Sequence, residues 1–211
     1  MKLGIFGGSF DPPHRGHVEP VRRARERLGL DRVLYVVTAN PPHKRDPGSA
    51  PTAPAACRFA MVEMTLLEEE GLYASDHELV ASRATYTVET LEHFRRERPD
   101  DELHLLLGAD SLARLDTWKR WRELPRLARL VVLGRPGSEL EAIRDDLPEE
   151  LRRLLRDREE RGGPELVFLR DAMIDLSSTD LRRSLAAGEP AGPQEVSPLV
   201  LDYVRKYRFY R

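Results

Sequence analysis

The sequence predicts an α/β fold: a doubly wound parallel sheet with helices on both faces and a helical segment at the C-terminus. Three observations carry this. Short apolar runs recur without polar alternation, as in strands buried on both faces. Segments with apolar residues at helical spacing lie between them. The chain has 211 residues and no internal repeat, which suits one domain over 1–211, with about 175–211 a helical subregion packed on it.

The elements follow in order. LGIF (3–6) is the first strand, and Val18, Val21, Ala24 and Leu28 place a helix over 16–28. RVLYVV (32–37) is the second strand. The segment 40–54 is rich in proline and lacks a period, so it is read as a long functional loop. Phe59, Val62, Met64, Leu66 and Leu67 make 55–70 helical, and Val88, Leu91 and Phe94 do the same for 86–97. LHLLL (103–107), RLVVL (129–133) and ELVFL (165–169) are three further strands. The charged stretch 139–161 reads as a solvated helical excursion. Two helices, about 178–187 and 197–206, close the chain across the turn GEPAGP. This alternation is that of a Rossmann-like sheet, in which ligands bind beyond the C-terminal ends of the strands.

Composition excludes several classes. The chain carries 34 Lys and Arg against 36 Asp and Glu, a net charge of −2. No large basic field for nucleic acid is therefore expected. Cys57 is the single cysteine, which rules out an intrachain disulfide and a cysteine-rich metal site and fits the reducing cytoplasm. No apolar run approaches the roughly 20 residues of a membrane helix. The first run is broken by Asp11, Pro12 and Pro13 with no small-residue cleavage site after it, so no secretory leader is expected.

The stretch GGSFDPPHRGH after the first strand concentrates unusual residues. Gly7 and Gly8 let backbone amides approach a ligand closely. The helix start beyond them favours anions. His14 and His17 are three apart and share a face there, each able to donate a hydrogen bond or to carry a proton. That combination suits phosphoryl or nucleotidyl transfer, which needs charge stabilisation more than covalent help. The plainer reading is a strand–turn–helix with two surface histidines. Neither GxGxxG nor GxxxxGK[ST] is present. Near the other end, DLSSTDLRRSL (175–185) has the look of a helix start capped by Ser177 or Ser178, with Asp180 at the positive dipole end. Hydroxyls of Ser178 and Thr179, free amides and Arg182 could together grip a polyphosphate. An ordinary cap with a surface arginine is the alternative.

Both motifs resemble those of the nucleotidyltransferase superfamily: H-x-G-H at His14-Arg15-Gly16-His17, and S-S-T-x-x-R at residues 177–182. Three intermediate motifs refine the likeness. They are Asn40-Pro41-Pro42-His43-Lys44, then Thr85-Tyr86-Thr87, then Gly108-Ala109-Asp110-Ser111 with Trp118 eight residues after Asp110. Their order resembles the bacterial nicotinate-mononucleotide adenylyltransferases over nearly the whole chain.

The resemblance implies adenylyl transfer from ATP to nicotinate mononucleotide, giving deamido-NAD and pyrophosphate. It implies His14, His17, Lys44 and Arg182 as catalytic groups that neutralise growing charge. ATP would be met by Gly7, Gly8, Ser9, Phe10 and His17 at one end, by Gly108 and Asp110 at the ribose, and by Ser178, Thr179 and Arg182 at the polyphosphate. Trp118 would stack on the pyridine ring, and amides near Thr87 and at Lys119 would receive the nicotinate carboxylate. Asn40, Lys44 and Arg135 would help seat the mononucleotide. Mg²⁺ would be held mainly by the ATP phosphates, with no protein metal site. The implied partners are these two nucleotides, without nucleic acid or membrane, in the cytoplasm, with homo-oligomerisation left open.

Alternatives at single residues remain: Trp118 as a core aromatic, Asp110 as a helix cap, Lys44 and Arg135 as solvated loop charges. Rival readings are an adenylyltransferase for nicotinamide mononucleotide or phosphopantetheine, or a nucleotide-binding regulator without turnover.

Overall fold

In the computed structural model of the chain we describe residues 1–39, 52–81, 85–134, 147, 149, 151–152, 166–169, 176–189, 192 and 194–211. Six parallel strands form one sheet: β1 (Lys2–Gly8), β2 (Arg32–Val37), β3 (Leu72–Ser75), β4 (Glu102–Gly108), β5 (Arg129–Leu133) and β6 (Leu166–Leu169). Their order is β3-β2-β1-β4-β5-β6. The chain winds outward one way from β1 through β3, then returns to start again at β4. The crevice above the neighbouring ends of β1 and β4 is thus the switch point where such sheets bind ligands.

Strand alternation sorts the core into two layers. Leu3, Ile5, Leu103, Leu105, Leu107, Leu130 and Val132 face Val88, Leu91 and Phe94 of α4 (Thr87–Glu97). That layer also takes Leu112 of α5 (Ala109–Leu112), Trp121 of a 3₁₀ turn, and Leu124 of α6 (Leu124–Leu127). The other face, with Phe6, Val33, Tyr35, Val131 and Leu133, takes Val18, Val21 and Ala24 of α1 (Arg15–Leu28) and Val62 and Leu66 of α2 (Ala55–Leu66). A third cluster joins Met61 of α2 to Leu181 of α7 (Ser178–Ala186), to Val200 and Val204 of α8 (Pro198–Tyr207), and to Tyr210. The C-terminal helices therefore dock against α2.

Three expectations change. β3 was not expected: LYAS is short, and as an edge strand it buries Leu72 while leaving Tyr73 exposed beneath Arg32. It is followed at once by a one-turn helix, α3 (His77–Val80). The second helix stops at Leu66 rather than residue 70, and Leu67 lies outside it, largely exposed. In the charged stretch, most of 139–161 lies outside the described residues, but Leu147 and Leu151 are buried in the first layer. At those two positions the segment is therefore packed rather than solvated.

Candidate active site

β1 ends at Gly8 and α1 begins at Arg15, so residues 9–14 must turn the chain above the switch point. Phe10 adopts a left-handed backbone, φ 49°. Its buried ring packs against Phe6 and Tyr35 and meets His17 edge-on at 5.2 Å. A Cβ on Gly8 would come within 2.7 Å of that ring, whereas a Cβ on Gly7 or Gly108 would meet nothing within 4 Å. Gly8 is thus required by packing. Gly7 and Gly108, on the two strands that flank the switch point, border open space. Of Phe10 only the backbone can face a nucleotide.

His14 is the N-cap of α1 and only 3% exposed. Its ring lies 3.8 Å from that of His17, at 35°. The backbone N–H of His14 donates to Nδ1 of His17 at 3.2 Å, which puts the His17 ring proton on Nε2 when the imidazole is neutral. Burial pushes the His14 imidazole down to about 4, so at neutral pH His14 is an uncharged hydrogen-bond donor. Its Nδ1 is buried with no partner among the described residues. Of the two roles open in the sequence for His14, the environment selects donation over charge.

The second motif reaches this same turn. Ser177 caps α7 by accepting the Thr179 amide at 3.2 Å. The Ser178 hydroxyl donates to the Pro12 carbonyl at 3.0 Å. Arg182 donates from one terminal nitrogen to the Asp11 carbonyl at 2.7 Å and from the other to Oγ1 of Thr179 at 3.3 Å. Residues 166 and 171 apart in sequence are therefore stitched together just before His14, and the start of α7 and the start of α1 lie side by side. Two helix N-termini, with the positive ends of their dipoles, and an arginine at one place make an arrangement that suits a polyanion.

On the other flank, Thr87 is the first residue of α4, and the Tyr86 N–H donates to the Glu89 carboxylate at 3.4 Å. Lys119 sits over the Tyr86 ring at 4.2 Å and pairs with Glu89 at 2.9 Å. That latch ties the 113–123 turns to the start of α4. Trp118, partly buried, packs on the edge of the first core layer, as Tyr86 does, and Trp121 is the tryptophan that enters it. Asp110 is exposed in the first turn of α5, beyond the end of β4. Asn40, Lys44 and Arg135 lie outside the described residues.

Two residues that organise the site were not singled out from the sequence. Asp11, 2% exposed, accepts the amides of Thr52 at 2.6 Å and Ala53 at 3.1 Å and the Tyr210 hydroxyl at 2.7 Å. Arg58, 1% exposed, donates to the carbonyls of Ser9, Thr38, Ala39 and Ala53. It thereby clamps the ends of β1 and β2 to α2. Arg58 had a signal: it stands on the same face as Met61, Val62 and Leu66, a charge where the helix period asks for a core residue. Asp11 sat in view inside GGSFDPPH, but nothing in the sequence names its distant partners.

A profile of the cytidylyltransferase-like family matches residues 5–184. A protein of Neisseria gonorrhoeae, named "Probable nicotinate-nucleotide adenylyltransferase", is 38% identical over 210 residues, covering 99% of this chain and 98% of its own. One of the same name from Chromobacterium violaceum is 38% identical over 213 residues, 100% of this chain and 99% of its own. Among solved structures, Plasmodium falciparum nicotinic acid mononucleotide adenylyltransferase complexed with NaAD has a similar fold. Its TM-score is 0.75 at 17% identity, over 99% of this chain and 97% of that one. The same enzyme complexed with APC gives a TM-score of 0.73.

Proposed function

The chain belongs to the cytidylyltransferase-like family, among its nicotinate-nucleotide adenylyltransferases, and from that premise we propose how its site works. The reaction is adenylyl transfer from ATP to nicotinate mononucleotide in NAD biosynthesis, giving nicotinate adenine dinucleotide (deamido-NAD) and pyrophosphate.

ATP lies with its base and ribose near Gly108 and Asp110 and its phosphates between the starts of α1 and α7. Gly7 to Phe10 supply backbone along it. The phosphate of nicotinate mononucleotide attacks the α-phosphorus in line, a P–O bond forms, and the bond to pyrophosphate breaks. That phosphate is largely ionised at neutral pH, so no general base and no enzyme nucleophile is needed. His14 donates a neutral hydrogen bond. His17, Lys44, Arg182, the Ser178 amide and the Thr179 hydroxyl oppose the charge that gathers on the α-phosphate and the leaving group. The docking of the α7 start on residues 11–12, directly beside His14, is the observation that carries this reading.

Trp118 stacks on the pyridine ring, and the first-turn amides at Thr87 with that of Lys119 receive its carboxylate. Asn40, Lys44 and Arg135 are assigned to the mononucleotide on the family likeness. A helix start offers donors and a positive field, which suits a carboxylate better than an amide. Mg²⁺ would be carried by the ATP phosphates, because it keeps several waters and binds phosphates readily. We assign the reaction to the cytoplasm, with no nucleic acid and no membrane partner. No described helix is long and apolar enough to cross a membrane.

The test is pyrophosphate release with Mg·ATP and a panel of acceptors: nicotinate mononucleotide, nicotinamide mononucleotide and phosphopantetheine. Nicotinate mononucleotide should lead in kcat/KM by orders of magnitude, because a mismatched polar group discriminates strongly. Comparable efficiency on the amide would refute the carboxylate assignment, and silence on all three would leave a binding regulator. His17→Ala should lower the single-turnover rate by about 10²–10³ with the fold intact.

A further inference from the structure

The tail of the chain returns to the site. Tyr210 is 5% exposed, and its hydroxyl donates to Oδ1 of Asp11 across 199 residues at 2.7 Å. Burial, and then the Asp11 charge, push the phenol up, so it stays protonated and donates. Asp11 also accepts the Ala53 amide on Oδ1 and the Thr52 amide on Oδ2. Its carboxylate thus takes three donors, none of them from Arg182. The guanidinium lies 3.8 Å from Oδ2 and bonds instead to the Asp11 main-chain carbonyl at 2.7 Å. Two of its donors are accounted for, one on that carbonyl and one on Thr179, out of about five that an arginine carries.

That arrangement has an electrostatic consequence. A carboxylate this close would ordinarily take an arginine in a bidentate pair, neutralising it. The phenol and the Ala53 amide take Oδ1 and the Thr52 amide takes Oδ2, while Arg182 stands 3.8 Å from Oδ2 as an ion pair without a hydrogen bond and is anchored through the Asp11 carbonyl and Thr179. We propose that Asp11 and Tyr210 are positioning residues for adenylyl transfer: the C-terminal tyrosine keeps the Asp11 carboxylate engaged, so that the guanidinium of Arg182 is aimed at the polyphosphate of ATP. This rests on the reading of Arg182 as a polyphosphate contact. It assigns the last turn of the chain to the ATP half of the reaction and not to the mononucleotide half.

The experiment compares wild type, Tyr210→Phe, Arg182→Ala and the double variant. It measures ATP affinity by calorimetry without mononucleotide and KM for both substrates in turnover. Tyr210→Phe keeps the ring and removes only the hydroxyl. It should weaken ATP binding about tenfold, leave the KM for nicotinate mononucleotide within about twofold, and add nothing to Arg182→Ala. Wild-type ATP affinity in Tyr210→Phe, equal weakening toward both substrates, or full multiplication with Arg182→Ala would overturn the inference. If wild type binds ATP but releases no pyrophosphate with nicotinate mononucleotide, the functional reading fails, and the ATP titrations still decide this one. Should Tyr210→Phe not fold, Asp11→Asn is titrated in its place. An ATP-side loss supports the inference, and unchanged ATP affinity overturns it.

Discussion

Gly16 shows how closely a residue type can be tied to one neighbour. A Cβ there would meet Cε1 and Nδ1 of His14 at 2.9 Å and Cβ of Leu176 at 3.2 Å. The imidazole of His14 therefore lies in a slot that only glycine leaves open, with the chain leading into α7 closing the other side. The glycine in H-x-G-H serves the first histidine, not helix geometry. Gly16→Ala should push that ring aside and cost about 10²–10³ in kcat, the scale of losing one aimed donor. Stability should move by no more than about 2 kcal/mol, since better helix propensity offsets part of the clash. Turnover measured beside thermal melting separates the two, and wild-type kcat would show that the His14 ring can sit elsewhere.

Between elements, the contact of α3 with α4 rests on a buried acid. Thr90 of α4 donates to Oε1 of Glu78 at 3.0 Å, and Glu78 is 7% exposed. Burial, only partly offset by that bond, raises its carboxyl from 4.5 to about 7. Between those values the folded chain holds a proton that the unfolded chain has lost. Glu78 therefore contributes stability at low pH that disappears as pH rises through about 7, on the order of 3 kcal/mol. His14 acts in the opposite sense: its folded value is depressed to about 4 from 6.5, so its contribution is present above 6.5 and lost as pH falls toward 4. The two slopes largely cancel in the wild type. Glu78→Gln keeps an acceptor for Thr90 and removes one slope. Its denaturant midpoint should match wild type near pH 4 and exceed it at pH 8, and equal midpoints at pH 8 would rule out a neutral Glu78. Elsewhere, the Lys119–Glu89 pair joins the turn bearing Trp118 to the start of α4. Partly exposed as it is, its use lies in register more than in energy.

At the scale of the whole molecule, one strand order and one buried carboxylate bring the site together. The order β3-β2-β1-β4-β5-β6 places the turn after β1 beside the turn after β4, and Asp11 gathers the β1–α1 turn, the start of α2, α7 and the tail. Binding at this junction should stabilise the entire fold. Mg·ATP at about 100 times its Kd should contribute about 2.7 kcal/mol, or about 5–10 °C in Tm for a chain of this size. A metal carried by the substrate predicts an asymmetry. EDTA should abolish turnover and the ATP-dependent rise in Tm, yet leave the Tm of the ligand-free protein unchanged. A fall in that ligand-free Tm on chelation would reveal a metal bound to the protein itself.

The sequence by itself determined the layers. Five of the six described strands and the helices α1, α2, α4, α7 and α8 are readable because burial on both faces of a sheet and on one stripe of a helix leaves periods of its own in the residues. That His14 and His17 open one helix and that Arg182 lies in the first turns of another was readable because glycine, capping serines and the apolar period mark helix starts. β3 escaped because an edge strand of four residues buries too little to leave a pattern. Asp11, Arg58, Glu78 and Tyr210 escaped as partners because a hydrogen bond between distant residues has no period. Whether a charged side chain faces water, a carbonyl or a phosphate is decided only when the strand order fixes which chain ends meet. Tertiary structure alone made His14 neutral and gave the hydrogen bonds of the Asp11 carboxylate to Tyr210 and two amides, since burial and neighbours, not residue identity, set the charge and partners of a group.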